Sequence, residues 1–238
     1  MTGEWIGAIS AAAGAACGGL GYAVRGRSST LLAPSVYCGD RTRANLALTF
    51  DDGPSESTPE LLHVLETLRV RATFFMCGAN VRRLPEIARE VLAAGHEIGN
   101  HSQTHARFDF KSPDFIYREI ATAQESIHAA TGSSPRLFRA PYGVRWFGLR
   151  RAQQHLGLTG VMWTVIGRDW VLQAPGIARR LLDGANNGGI LCLHDGRTTR
   201  QAPDIANTIA AVHVAVPELL DRGFQFQTAG ELLCLSPN

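Results

Sequence analysis

Two adjacent carboxylates, Asp51 and Asp52, close the apolar run Leu46-Ala47-Leu48-Thr49-Phe50 and are followed at once by Gly53-Pro54. Neighbouring acids repel each other, so a pair held at a strand end calls for a counter-charge, either an arginine or a metal ion. Taken alone, the same letters also describe a solvated Asp-Asp-Gly turn. A second cluster, Gly99-Asn100-His101-Ser102-Gln103-Thr104-His105, follows the short apolar segment His96-Glu97-Ile98. Histidines four residues apart lie on one face of a helical turn, where both imidazoles reach one ion. Two surface histidines are the plain alternative. The position after a strand, shared with the aspartates, favours the ligand reading.

The elements that must carry these residues alternate along the chain. Apolar, strand-like runs fall at residues 46–50, 72–77, 97–99, 136–139, 160–164, 189–193 and 224–227. Amphipathic, helix-like runs fall at 58–68, 81–94, 113–130, 147–155, 175–184, 203–221 and 228–233. Such alternation predicts an α/β protein with a largely parallel sheet. Polar residues gather where the strands end: Asp51 and Asp52 after the first, His101 and His105 after the third, Arg139 at the end of the fourth, Asp169-Trp170 after the fifth and His194-Asp195 after the sixth. In a barrel of parallel strands all those ends open on one face, so a metal site, a base, an oxyanion donor and an acid could surround one cleft.

At 238 residues, with 45% hydrophobic content and a net charge of +2, the chain suits one large domain or a small domain plus an appendage, and is long enough for a single sizeable core. The charge is too small and too dispersed for a nucleic-acid surface. None of the five cysteines stands in CxxC spacing, and Cys77 and Cys192 lie in apolar runs as small buried hydrophobes. Residues 1–30 form an N-terminal segment whose run from 5 to 24 is free of charge and long enough to cross a bilayer, though rich in Ala and Gly. Glu4 before it and Arg25 and Arg27 after it reverse the polarity of a secretory signal, and Gly14-Ala15-Ala16-Cys17 only faintly resembles a lipoprotein box. Membrane or cell-envelope association through residues 5–24 therefore stands beside a packed helix or a leader.

Together these segments resemble the NodB-homology polysaccharide deacetylases, carbohydrate esterase family 4, over residues 38–235. Five motifs occur in order: residues 49–54, 101–105, 139–142, Asp169-Trp170 and the apolar strand ending in His194. The resemblance implies a distorted (β/α) barrel of seven parallel strands. It implies that Asp52, His101 and His105 hold a divalent metal, with Zn²⁺ the default and Co²⁺, Ni²⁺ or Mn²⁺ compatible with the same donors. Asp51 is then the general base, Arg139 its partner, His194 the general acid and Asp169 the carboxylate that tunes it. Tyr142 lends a backbone N–H to the oxyanion, and Trp170 forms an apolar wall, with core packing as its other reading. The implied reaction removes an N-acetyl group from peptidoglycan, a chitin-like oligosaccharide or a lipid-linked amino sugar. An O-acetyl esterase acting on a polysaccharide such as xylan, or an inactive glycan-binding relative, are the rivals. Two departures from the family pattern, Ile166 and Cys192, point to altered substrate contacts or pocket volume rather than lost chemistry, and a third, Ala140, is a minor change.

Overall fold

The computed structural model describes residues 18–235. Among them nine strands form one sheet with every pairing parallel: β1 (Ser35–Val36), β2 (Asn45–Asp51), β3 (Thr73–Met76), β4 (Glu97–Asn100), β5 (Leu137–Phe138), β6 (Thr159–Val161), β7 (Val165–Ile166), β8 (Gly189–His194) and β9 (Gln225–Gln227). The helices are α1 (described over 18–25), α2 (Thr58–Leu68), α3 (Gly78–Arg83), α4 (Pro85–Ala93), α5 (Pro113–Thr131), α6 (Leu149–Leu156), α7 (Ala174–Gly184), α8 (Ala206–Asp221) and α9 (Ala229–Leu232). A single 3-10 turn spans Pro141–Gly143.

The sheet order is β1-β6-β5-β4-β3-β2-β8-β7, with β9 beside the first half of β2. Only residues 162–164 separate β6, near one end, from β7 at the other. That link spans at most about 14 Å, so the sheet has to curl until its ends meet. The Met162 N–H donates to the Val36 carbonyl at 2.7 Å and the Thr164 N–H to that of Ile190 at 2.9 Å, tying the link to both ends. The result is a distorted (β/α) barrel. Closure also explains why only the first part of the run at 160–164 is strand: β6 pairs with β5 and β1, residues 162–164 form the link, and β7 beyond it pairs with β8. The helix expected at 81–94 is likewise two, α3 and α4, because Pro85 removes an N–H and disfavours helical geometry at Leu84 (φ −132°, ψ 57°).

Strand alternation sorts the side chains. Leu46, Leu48 and Phe50 face the helices with Phe74, Met76, Leu191 and Leu193. Burying each contributes about 1.5–3 kcal/mol. Ala47 faces the barrel interior with Phe75, Leu137, Val161 and Ile190, where Ala229 and Leu232 of α9 pack as well. Further along β2 and β8, and just past β5, the same inward face carries Thr49 and Asp51, Cys192 and His194, and Arg139. The barrel is therefore apolar at its base and polar at its mouth.

The described end of the N-terminal segment is held to the barrel. Arg145, 1% exposed, donates through its guanidinium to the carbonyls of Val24, Gly26 and Ser29. Residues 5–17 of the apolar run lie outside the described residues, and no described helix is long and apolar enough to cross a membrane.

Candidate active site

Asp51 ends β2 pointing inward. An ordinary extended residue after it would point away, but Asp52 has φ 77°, a left-handed conformation that swings its carboxylate back over the mouth. Its Oδ1 lies 3.4 Å from His101 Nε2 and 3.0 Å from His105 Nε2. Its Oδ2 accepts from the Thr198 N–H at 2.7 Å, and its backbone carbonyl accepts from the Asn80 amide at 2.7 Å. Gly53 must lack a side chain, because a Cβ there would fall 2.1 Å from Asp195 Oδ2.

His101 and His105 do not share a helical face, as their spacing suggested. They lie in an irregular loop after β4 in which Ser102 (φ 65°) and His105 (φ 60°) are left-handed. The loop is fixed locally. Ser102 N–H donates to Asn100 Oδ1, His105 N–H to Ser102 Oγ, and Thr104 N–H to Glu119 of α5. These polar side chains offer the backbone an alternative to helical bonding. The rings still converge, with centroids 4.9 Å apart.

The donor set fits a divalent cation. His101 Nδ1, 2.7 Å from the Arg139 carbonyl, must carry the proton, which leaves Nε2 a lone pair directed at Asp52. Asp52 Oδ1 and His105 Nδ1 are buried without a hydrogen-bond partner among the described residues. A carboxylate oxygen and two imidazole nitrogens within 4.8 Å of one another form such a site. Without a cation, burial pushes the Asp52 carboxyl up, but imidazoles that carry a proton on Nε2 outweigh it and hold the carboxyl well below the usual carboxylate range.

Arg139, fully buried after β5, donates Nη1 to Asp51 Oδ1 at 2.6 Å and to Thr49 Oγ1 at 2.8 Å. Its Nε and Nη2 reach the carbonyls of Val161 and Met162, each at 3.3 Å, and its guanidinium carbon lies over the Phe75 ring, 4.0 Å from the centre. Cys192, fully buried as expected, places its Sγ 3.5 Å from Asp51 Oδ2.

His194 pairs through Nδ1 with Asp169 Oδ1 at 2.8 Å, while its backbone N–H and Thr208 Oγ1 donate to Asp169 Oδ2. Burial pulls the His194 pKa down, but the Asp169 carboxylate overrides it and raises the imidazole to about 9. Asp169, although pushed up by burial, is held below its ordinary value by His194, Thr208 and Arg197.

The site opens on one cleft of about 570 Å³. Asp51, Asp52, His101, His105 and His194 line it, with Tyr142 and Trp170 as half-exposed walls. The Tyr142 ring lies 4.5 Å from that of His105, and Trp170 meets His194 edge-on at 5.2 Å. Trp170, 49% exposed, is thus a wall rather than a core residue. Ile166 lines the cleft too. Arg139 and Asp169 stand behind the residues they hold. Sequence reasoning missed Thr49, Thr208, Asn80, Thr198 and Arg25. Only Thr49 carried a signal, being inward on β2 two residues before Asp51.

The sequence profile of the polysaccharide deacetylase family matches residues 39–161. The chitooligosaccharide deacetylase of Bradyrhizobium sp. (strain ANU 289) is 37% identical over 78% of this chain and 89% of its own length. Among solved structures, the Bc1960 peptidoglycan N-acetylglucosamine deacetylase superposes with a TM-score of 0.79 at 28% identity, covering 84% of this chain and 92% of the other. BA3943 of Bacillus anthracis, a pseudoenzyme of carbohydrate esterase family 4, superposes with a TM-score of 0.76 at 26% identity, covering 85% and 70%. With the barrel, the ordered motifs and these relatives in agreement, the chain belongs to the polysaccharide deacetylases of carbohydrate esterase family 4.

Proposed function

We propose that this chain hydrolyses the N-acetyl amide of an amino-sugar glycan, releasing acetate and leaving a free amine. One observation carries the reading. A cation-binding triad, a carboxylate held by a buried arginine and an imidazole held by a buried carboxylate all meet at one cleft. Because a relative of this fold is a pseudoenzyme, activity rests on this chain's own residues.

Asp52, His101 and His105 would hold the metal, with Zn²⁺ favoured by the mixed nitrogen and oxygen donors and Co²⁺, Ni²⁺ or Mn²⁺ compatible with them. A divalent cation there supplies Lewis-acid polarisation of the acetamide carbonyl and a lowered pKa for water. Asp51 takes the proton of the attacking water through Oδ2, since Oδ1 is occupied by Arg139. Arg139 fixes the direction of that carboxylate and offsets the repulsion from Asp52. The Tyr142 backbone N–H serves as donor to the developing oxyanion. His194, charged at neutral pH, gives its proton to the nitrogen as the C–N bond breaks, and Asp169 keeps the ring oriented. Trp170 and the Tyr142 ring flank the acetyl and sugar faces.

Acetate release from N-acetylglucosamine oligomers, peptidoglycan and acetylated xylan tests the reading. Release from the N-acetylated glycans supports it. Release from xylan alone would make the chain an O-acetyl esterase, and binding without release would make it an inactive relative.

A further inference from the structure

The wall of the cleft carries more positive charge than this hydrolysis uses. Arg25, Arg197 and Arg200 all line it. Arg197 is committed, donating to the Asp169 carbonyl at 2.9 Å and the Gly196 carbonyl at 2.8 Å, with Nη1 3.6 Å from the Asp169 carboxylate. Arg25 and Arg200 are exposed, and neither guanidinium makes a hydrogen bond or ion pair among the described residues. The acid that feels Arg25, Asp109, is already paired with Arg107 at 2.6 Å.

Arg25 is carried to the cleft by a built anchor. The buried Arg145 guanidinium binds the carbonyls on either side of it, Val24 and Gly26, together with that of Ser29. The Arg145 N–H adds a further bond to Val24 at 3.0 Å. Arg200 follows the turn at Arg197-Thr198, whose Thr198 N–H holds Asp52. Both cations are thus attached to structure that reaches the reacting centre. Guanidinium forks match the planar oxygens of carboxylates and phosphates, and a neutral glycan has no group that uses them fully.

We propose that Arg25 and Arg200 form an anion subsite, so that the substrate is an amino-sugar glycan bearing a carboxylate or phosphate close to the acetamide that is cut. This rests on the deacetylase reading for its chemistry but not for its test. Binding to the full chain as isolated is measured by calorimetry with three probes. They are a neutral N-acetylglucosamine oligomer, an oligomer of equal length with lactyl-ether carboxylates on alternate sugars, and an N-acetylglucosamine oligomer ending in a 1-phosphate. At low salt one or both anionic probes bind about tenfold or more tightly than the neutral one, and the preference shrinks as salt rises. R25Q and R200Q each remove about threefold of that preference, and the double variant removes nearly all of it. The dependence on these variants distinguishes the subsite from an anion resting on the metal. Tighter binding of the carboxylate probe assigns the charge to a sugar substituent, and of the phosphate probe to a phosphorylated glycan. Equal affinity for all three probes, or a preference that survives the double variant, overturns the subsite. Acetate released from the neutral oligomer in that case leaves the deacetylase reading standing. An arginine-dependent preference without acetate from any probe sinks that reading and keeps the subsite.

Discussion

Asp51 and Asp52 are chemically identical neighbours, yet the backbone gives them different partners. Asp51 stays in the strand and meets Arg139, whereas Asp52 turns at φ 77° to face two imidazoles. His101→Ala and His105→Ala should each lose most bound metal, since each removes one of three protein donors. Metal analysis showing unchanged stoichiometry and affinity would rule out the ligand assignment. Asp51→Asn should retain the metal but lose at least roughly a hundredfold in turnover, the usual contribution of a positioned base. Near-normal turnover would move the base elsewhere. His194 allows a signed pH prediction. Its folded pKa of about 9 lies above its ordinary 6.5, so its stabilising contribution is complete below pH 6.5 and is lost as pH rises through about 9. In the metal-free chain, NMR titration should show the imidazole protonating near 9, and Asp169→Asn should bring it to 6.5 or below. An unchanged midpoint in the variant would show that Asp169 does not set it.

Elements deliver these residues in ways that differ in legibility. The runs at 46–50 and 189–193 reappear as β2 and β8 in a register that sets Asp51 beside His194 and Thr49 beside Cys192. Helix α2 has the expected bounds, and α5 differs by one residue at its end, because Pro marks the start of both and Gly132 closes α5. The histidine loop escaped the period argument because Ser102, Asn100 and Glu119 bond its backbone instead of a helix. The N-terminal segment yields an element-scale prediction. The chain lacking residues 1–17, which keeps every carbonyl that Arg145 binds, is the reference. Deleting residues 1–30 strips a buried arginine of three carbonyl acceptors, and should lower Tm by roughly 5 °C or more. Equal melting of both truncations would show that Arg145 finds other partners at no cost.

The whole molecule is a sheet closed by a three-residue link, its apolar base and polar mouth set by one alternating face. If residues 5–24 anchor the chain, full-length protein should sediment with membranes and the chain lacking residues 1–17 should not. Equal partitioning of the two would eliminate the anchor. The sequence alone determined the alternation of strands and helices, the proline-marked starts of α2 and α5, and which residue types could bind a cation, because hydrophobic periodicity, proline geometry and donor chemistry are local properties. Only the tertiary structure decided that Cys192 lies against the Asp51 carboxylate, that Thr208 and Arg197 hold Asp169, and that Arg25 stands at the cleft. Those meetings join segments far apart in the chain, and they exist because the sheet curls until β6, next to one edge, and β7, at the other, share one short link.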